Sequence, residues 1–130
     1  MAKILIVDDE STIRELFKYV FEDAGHKVEL ANNGRQALDI LRNGIPDFIV
    51  LDIAMPEMSG TEFVAELKRR AVQDQRLGNI PFVVMTGEDF MDSGRNNVFM
   101  LAPGFAGFFP KMTPPETVLE KVEAVMKNRG

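Results

Sequence analysis

The sequence predicts an α/β protein, a (βα)5 chain folded around a doubly wound, five-stranded parallel sheet. Two observations carry that expectation. Short unbroken apolar runs, suited to strands buried on both faces, alternate with segments whose apolar residues recur at helical spacing. The alternation repeats five times in 130 residues, a length that fits one domain spanning residues 1–130.

Ile4, Leu5, Ile6 and Val7 form the first strand, stopped by Asp8 and Asp9. Over residues 11–24, Ile13, Leu16, Phe17, Val20 and Phe21 make one helical stripe, ended by Gly25. Residues 28–31 give the second strand. Residues 34–43 give a helix with Ala37, Leu38 and Leu41 inward, stopped by Gly44. Phe48, Ile49, Val50 and Leu51 form the third strand, again ending at an aspartate, Asp52. Ser59 and Glu62 have the spacing of a capping box, and Phe63, Val64 and Leu67 give the helix behind it an apolar face. The loop over residues 73–78 reads as extended. Residues 81–85 form the fourth strand, ending at Thr86. The polar segment 92–97 is poor in helix formers, so only a late helix is expected there, around Val98, Met100 and Leu101. Residues 107–110 form the fifth strand, and Pro110 places it at an edge. Thr113 and Glu116 read as a second capping box before a last helix carrying Val118, Leu119, Val122, Val125 and Met126.

Composition removes several function classes. With no cysteine there is no disulfide scaffold, no thiolate metal site and no thiol nucleophile. One histidine excludes a His-rich metal site, and His26 is expected at the surface or as a cap. A net charge of −5 lacks the basic footprint of direct nucleic-acid binding. No apolar run is long enough for a membrane span and no leader is visible, so a cytoplasmic protein is expected.

Ligands of open α/β sheets bind beyond the carboxyl ends of the strands. There the chain places Asp8, Asp9, Asp52, Thr86 and Lys111. Three crowded carboxylates call for a cation, and an oxygen-only set suits a hard one such as Mg²⁺. A carboxylate, a hard cation, an ammonium and a hydroxyl together suit phosphoryl transfer onto the carboxylate.

The runs Ile6-Val7-Asp8-Asp9-Glu10, Leu51-Asp52-Ile53-Ala54-Met55-Pro56-Glu57-Met58-Ser59-Gly60 and Met85-Thr86-Gly87, with Lys111, resemble the receiver domain of two-component response regulators. The resemblance covers the whole chain and implies the flavodoxin-like receiver fold. It further implies that Asp52 is the phosphoacceptor and that Mg²⁺, or Mn²⁺ in its place, is held by Asp8, Asp9, Asp52 and the backbone carbonyl of Ala54. Thr86 would be the switch hydroxyl, Lys111 the partner of the phosphoryl group, and Phe108 the switch aromatic, with Phe105 and Phe109 competing for that role. Glu10, Glu57 and Glu88 read as rim charges, Glu88 at a position that tunes acyl-phosphate lifetime in the family.

The implied partners are a sensor histidine kinase or a histidine phosphotransfer protein, and a downstream effector or output domain. A homodimer through the face from fourth to fifth helix is a further option. The domain would phosphorylate itself only weakly from small donors and dephosphorylate itself, without being an enzyme in the turnover sense. Nothing in the sequence separates a stand-alone regulator from a receiver belonging to a longer protein.

Two departures stand out. Met112 follows the lysine where the family usually has proline, and the segment between Thr86 and Lys111 is rich in Met and Phe. Phe99 and Met100 are expected in the core, with a partner-binding face as the alternative. Rival functions fare worse. A haloacid-dehalogenase-type phosphatase needs a second acid where Ala54 stands, and a flavin module would have its phosphate repelled by Asp8, Asp9 and Glu10. A receiver that no longer takes phosphate would not be expected to keep all five key residues.

Overall fold

The computed structural model describes residues 2–53, 58–86 and 97–129. Strands β1 (Lys3–Val7), β2 (Lys27–Ala31), β3 (Phe48–Asp52), β4 (Phe82–Thr86) and β5 (Phe105–Pro110) form one sheet in the order β2-β1-β3-β4-β5. Every pairing is parallel. The described helices are α1 (Ser11–Asp23), α2 (Gly34–Leu41), α3 (Gly60–Arg70), α4 (Asn97–Met100) and α5 (Pro115–Arg129). The expected doubly wound fold is therefore the one observed, with β5 at an edge.

Side chains alternate across the sheet and build two cores. On one face Leu5, Val7, Ile49, Leu51, Phe82 and Val84 meet α2, α3 and α4. On the other Ile4, Ile6, Phe48, Val50, Val83 and Met85 meet α1 and α5. This is why the central strands read as unbroken apolar runs: every residue of β3 and β4 is buried.

The helix ends largely follow the sequence. Ser59 accepts a hydrogen bond from the Glu62 N–H (3.3 Å), and Glu62 accepts from the Ser59 N–H (3.2 Å), closing the expected capping box. Asn33 caps α2 by accepting from the Gln36 N–H (2.8 Å). The second box does not form as expected. The Val118 N–H donates to the Pro114 carbonyl (3.3 Å), so Pro114 opens α5 and Thr113 falls one residue short of the cap.

Other expectations need correction. Leu16 is 49% exposed, because the buried face of α1 is narrower than its apolar stripe and is centred on Phe17 and Phe21. The loop over residues 73–78, expected to be long, holds a short element of its own: Asp74 caps a 3-10 turn, Gln75–Asn79. His26 does help to cap α1, since its N–H donates to the Phe21 carbonyl (3.1 Å), but its side chain is largely buried. Its side chain is only 9% exposed, its Nδ1 accepts from the Ala2 N–H (3.2 Å), and its Nε2 meets Glu123 at 2.9 Å. It ties the start of β1 to α5.

The late helix exists as α4. Phe99 is fully buried, but Met100 is 58% exposed, so the pair expected together in the core divides between core and surface. The polar residues preceding α4, together with Glu57 and Glu88, lie outside the described residues.

One irregularity was not anticipated. Phe82 faces Phe105 but Val83 faces Gly107, so Ala106 is an extra residue in β5. Gly107 has φ +150, backbone that side-chain-bearing residues rarely adopt. The bulge keeps Phe105 and Phe108 on the same face although they are three residues apart.

Candidate functional site

The strand order reverses at β1, which pairs with β2 on one side and β3 on the other. Asp8 directly follows β1 and Asp52 is the last residue of β3, so the two carboxylates flank that switch point. Thr86 ends β4 opposite Pro110, and the Lys111 N–H donates to the Thr86 carbonyl (3.1 Å), extending the ladder by one bond. The sheet register thus carries Lys111 to the edge where the aspartates stand. Its peptide to Met112 is trans.

The loop after β1 is fastened by its own backbone. The Asp8 N–H donates to the Ala31 carbonyl (3.0 Å), and Asp8 Oδ1 accepts from the Glu10 N–H (2.9 Å). Arg14 Nη1 donates to the Asp8 carbonyl (2.7 Å). Carboxylate oxygens of Asp8, Asp9 and Glu10 lie within 4.8 Å of one another.

On the far side, the start of α3 is held against the end of β3 at Gly60. Its N–H donates to the Ile53 carbonyl (2.9 Å), and a Cβ there would sit 2.8 Å from the Asp52 carbonyl oxygen. Only glycine lets α3 start this close to the strand end.

Asp52 is fully buried, and among the described residues neither of its side-chain oxygens has a hydrogen-bond partner. Its nearest cation is Lys111 Nζ, 3.4 Å from Oδ2. The ammonium also lies 3.8 Å from Glu10 Oε1. Burial, and then the negative charge of Asp8, push the Asp52 carboxyl up from 3.8 to about 7, although Lys111 pulls the other way. Burial likewise raises Asp8. Burial pulls the Lys111 ammonium down, but the charges of Asp52, Asp8 and Asp9 outweigh it and hold the group above its ordinary value.

These oxygens fit a hard divalent cation. The carboxylates close enough to share an ion are Asp8, Asp9 and Glu10, an oxygen-only set; Asp52, expected in the set, is not in that group, but it adds two buried oxygens that lack a hydrogen bond among the described residues. Ala54, expected to add its carbonyl, lies outside the described residues.

Thr86 is buried and follows the parity of Val84, so it faces the α2–α4 side. Phe108 faces that side too. Its ring meets Phe99 edge-on at 6.0 Å and Phe105 at 4.8 Å. Phe109 packs on the opposite face, and Phe105 lies farther down the strand against Phe82. Of the three aromatics, Phe108 alone combines the face of Thr86 with nearness to the site.

Two site neighbours went unread in the sequence. Arg14 stands in the first turn of α1, where the helix dipole disfavours a cation; that misfit was its only signal. Glu10 was read as a rim charge, and its approach to Lys111 depends on side-chain reach.

Residues 4–123 match the family model of the response regulator receiver domain. The chain belongs to that family. The receiver is 34% identical over 125 residues to response regulator MprA of Mycolicibacterium vanbaalenii, covering 96% of this chain and 50% of that protein. It is 35% identical over 120 residues to response regulator SaeR of Staphylococcus aureus, covering 92% and 48%. The chain thus spans about half the length of these relatives. Among solved structures it resembles the chemotaxis response regulator CheY4 of Vibrio cholerae, with a TM-score of 0.80, 32% identity and coverage of 96% and 98%. The receiver is a signalling domain by family, and among its described residues no helix is long and apolar enough to cross a membrane.

Proposed function

We propose that the whole chain, residues 1–130, is one receiver domain that takes a phosphoryl group on Asp52. The donor is a phosphohistidine of a sensor kinase or of a histidine phosphotransfer protein. One Oδ of Asp52 attacks phosphorus as the P–N bond breaks; the departing imidazole keeps the bonding electrons and takes up a proton. Asp8, Asp9, Asp52 and the Ala54 carbonyl would hold Mg²⁺, or Mn²⁺ in its place, which supplies positive charge for the transferring oxygens. Lys111 moves from Asp52 to a phosphoryl oxygen, and Thr86 donates its hydroxyl to another. The observation that carries this reading is Asp52 itself, a fully buried carboxylate whose two oxygens lack hydrogen bonds among the described residues, with one lysine at 3.4 Å. A merely structural aspartate at that depth would be expected to have its oxygens satisfied.

The same acceptor chemistry makes the domain a switch with slow self-phosphorylation and self-dephosphorylation, working in the cytoplasm. Thr86 and Phe108 pass the change to the face around α4, β5 and α5, where a downstream effector or a second receiver binds. In support, Met100, Leu101 and Met112 are exposed there, Met112 to 92%. Acetyl phosphate with Mg²⁺ should add one phosphoryl mass to the intact protein, lost in Asp52→Asn. No mass gain, or a gain that survives Asp52→Asn, overturns the reading.

A further inference from the structure

The helix end remote from Asp52 carries a second feature. α3 leads away from Gly60 for 11 residues, roughly 16 Å at 1.5 Å per residue, and ends in Lys68, Arg69 and Arg70. There a cleft of about 200 Å³ opens between the ends of α2 and α3, beside the 3-10 turn. Leu38, Leu41, Leu67 and Leu77 line it together with Arg42, Arg70 and the paired Asp74 and Arg76. A broader, shallower depression of about 630 Å³ shares both arginines and Leu77 and runs out over exposed Val72.

Cations at the end of α3 are expected from the helix dipole, and several are already engaged. Arg69 binds Glu66, and Arg76 binds Asp74 through two nitrogens. Arg42 and Arg70 differ. The partner of Arg42 is Asp39 at 4.0 Å, beyond hydrogen-bond range. Arg70 reaches Glu66 through Nε (2.9 Å), a bond that does not use its terminal nitrogens. Two guanidinium groups with donors to spare thus stand in a cleft of mixed lining, where the edges of largely buried leucines meet charged side chains. Around it Arg42, Lys68, Arg69, Arg70 and Arg76 outnumber Asp39, Glu66 and Asp74, in a chain whose net charge is −5. The positive excess is local and set against the charge of the whole.

Size narrows the occupant. Small-molecule sites usually enclose about 300–1,000 Å³, more than this cleft offers. Its volume suits one branched aliphatic side chain, and the open depression beside it suits the backbone that carries such a side chain. We propose that this cleft docks an acidic segment of a partner protein, which inserts one leucine-sized side chain between α2 and α3 and sets a neighbouring carboxylate against Arg42 and Arg70. The fork geometry of the guanidinium matches a carboxylate, and the anchor gives the contact a direction that charge alone lacks. The site requires no chemistry at Asp52 and is independent of the function proposed above.

The test is an amide NMR titration of the full chain with the peptide acetyl-Asp-Glu-Leu-Glu-Asp-amide. Shifts are expected in residues 38–42 and 67–77, with affinity falling as salt rises. Replacing the peptide leucine by serine, or making Arg42→Gln with Arg70→Gln, should each weaken binding about tenfold. The double variant should retain the wild-type melting temperature, which shows that it is folded. No shifts at millimolar peptide, shifts mapping elsewhere, or equal binding by the serine peptide or the double variant would overturn the proposal. So would arginine-dependent binding to phosphatidylglycerol vesicles without peptide binding. An arginine-dependent dimer in sedimentation that excludes the peptide would overturn it in favour of a second copy.

Discussion

Asp52 must be ionised to act as a nucleophile, yet its surroundings favour the proton. Its carboxyl is pushed up from 3.8 to about 7 by burial and by Asp8, so the folded state holds this proton more tightly than the unfolded chain does. The stability the group contributes is complete below about pH 4 and is lost as pH rises towards 7, where the folded carboxyl also ionises. Urea titrations in chelator should show Asp52→Asn gaining on wild type across that window, by roughly 2–4 kcal/mol at its upper end. A difference that does not change with pH would contradict the burial argument. Metal must displace the same proton, so Mg²⁺ affinity by calorimetry should fall below pH 7 by up to about tenfold per unit. At this scale, residues whose placement follows from standing at a strand end were legible: Asp8, Asp52, Thr86 and Lys111. Arg14, Glu10 and His26 were not, because their contacts depend on where long or rotating side chains reach across elements distant in sequence.

Elements were legible in proportion to their periodicity. β1, β3 and β4 read directly because both faces are buried, and the Ser59 capping box read directly because it is local. Ser59→Ala should cost about 1 kcal/mol by denaturant titration. Gly60→Ala should cost more than that cap, since its Cβ would meet the Asp52 backbone at 2.8 Å, and it should weaken Mg²⁺ binding as the strand end shifts. α4 tests the division of its apolar residues. Phe99→Ala should lose about 3–5 kcal/mol, whereas Met100→Ala should change stability by less than about 0.5 kcal/mol and act on partner binding instead. Equal costs would mean that α4 lies differently against the sheet. Short elements such as α4 and the 3-10 turn escape sequence reading because four or five residues carry too little periodicity.

Over the whole molecule, two cores hold one sheet edge in register while Asp52 is left, among the described residues, short of hydrogen bonds. Such a site is costly until something charged and complementary fills it. Mg²⁺ with beryllofluoride should therefore raise the melting temperature, with about 2.7 kcal/mol of added stability at a hundredfold excess over Kd, and Asp52→Asn should abolish most of the gain. The parallel sheet was legible from the alternation of strands and helices, and the acidic edge followed from it. The leucine and arginine cleft was not predictable, because it joins the end of α2 to a turn more than thirty residues later.

The bulge in β5 bears on how the gene can vary. Ala106 adds a residue without altering which positions face each other beyond it, from Val83 with Gly107 to Thr86 with Pro110. An in-frame deletion normally shifts every downstream position of a strand to the wrong side. Removing the codon for Ala106 would instead let Phe105 and Gly107 pair in regular succession, with Lys111 still delivered to Asp52. This strand can therefore lose that one residue while the reading of every later position stays in phase.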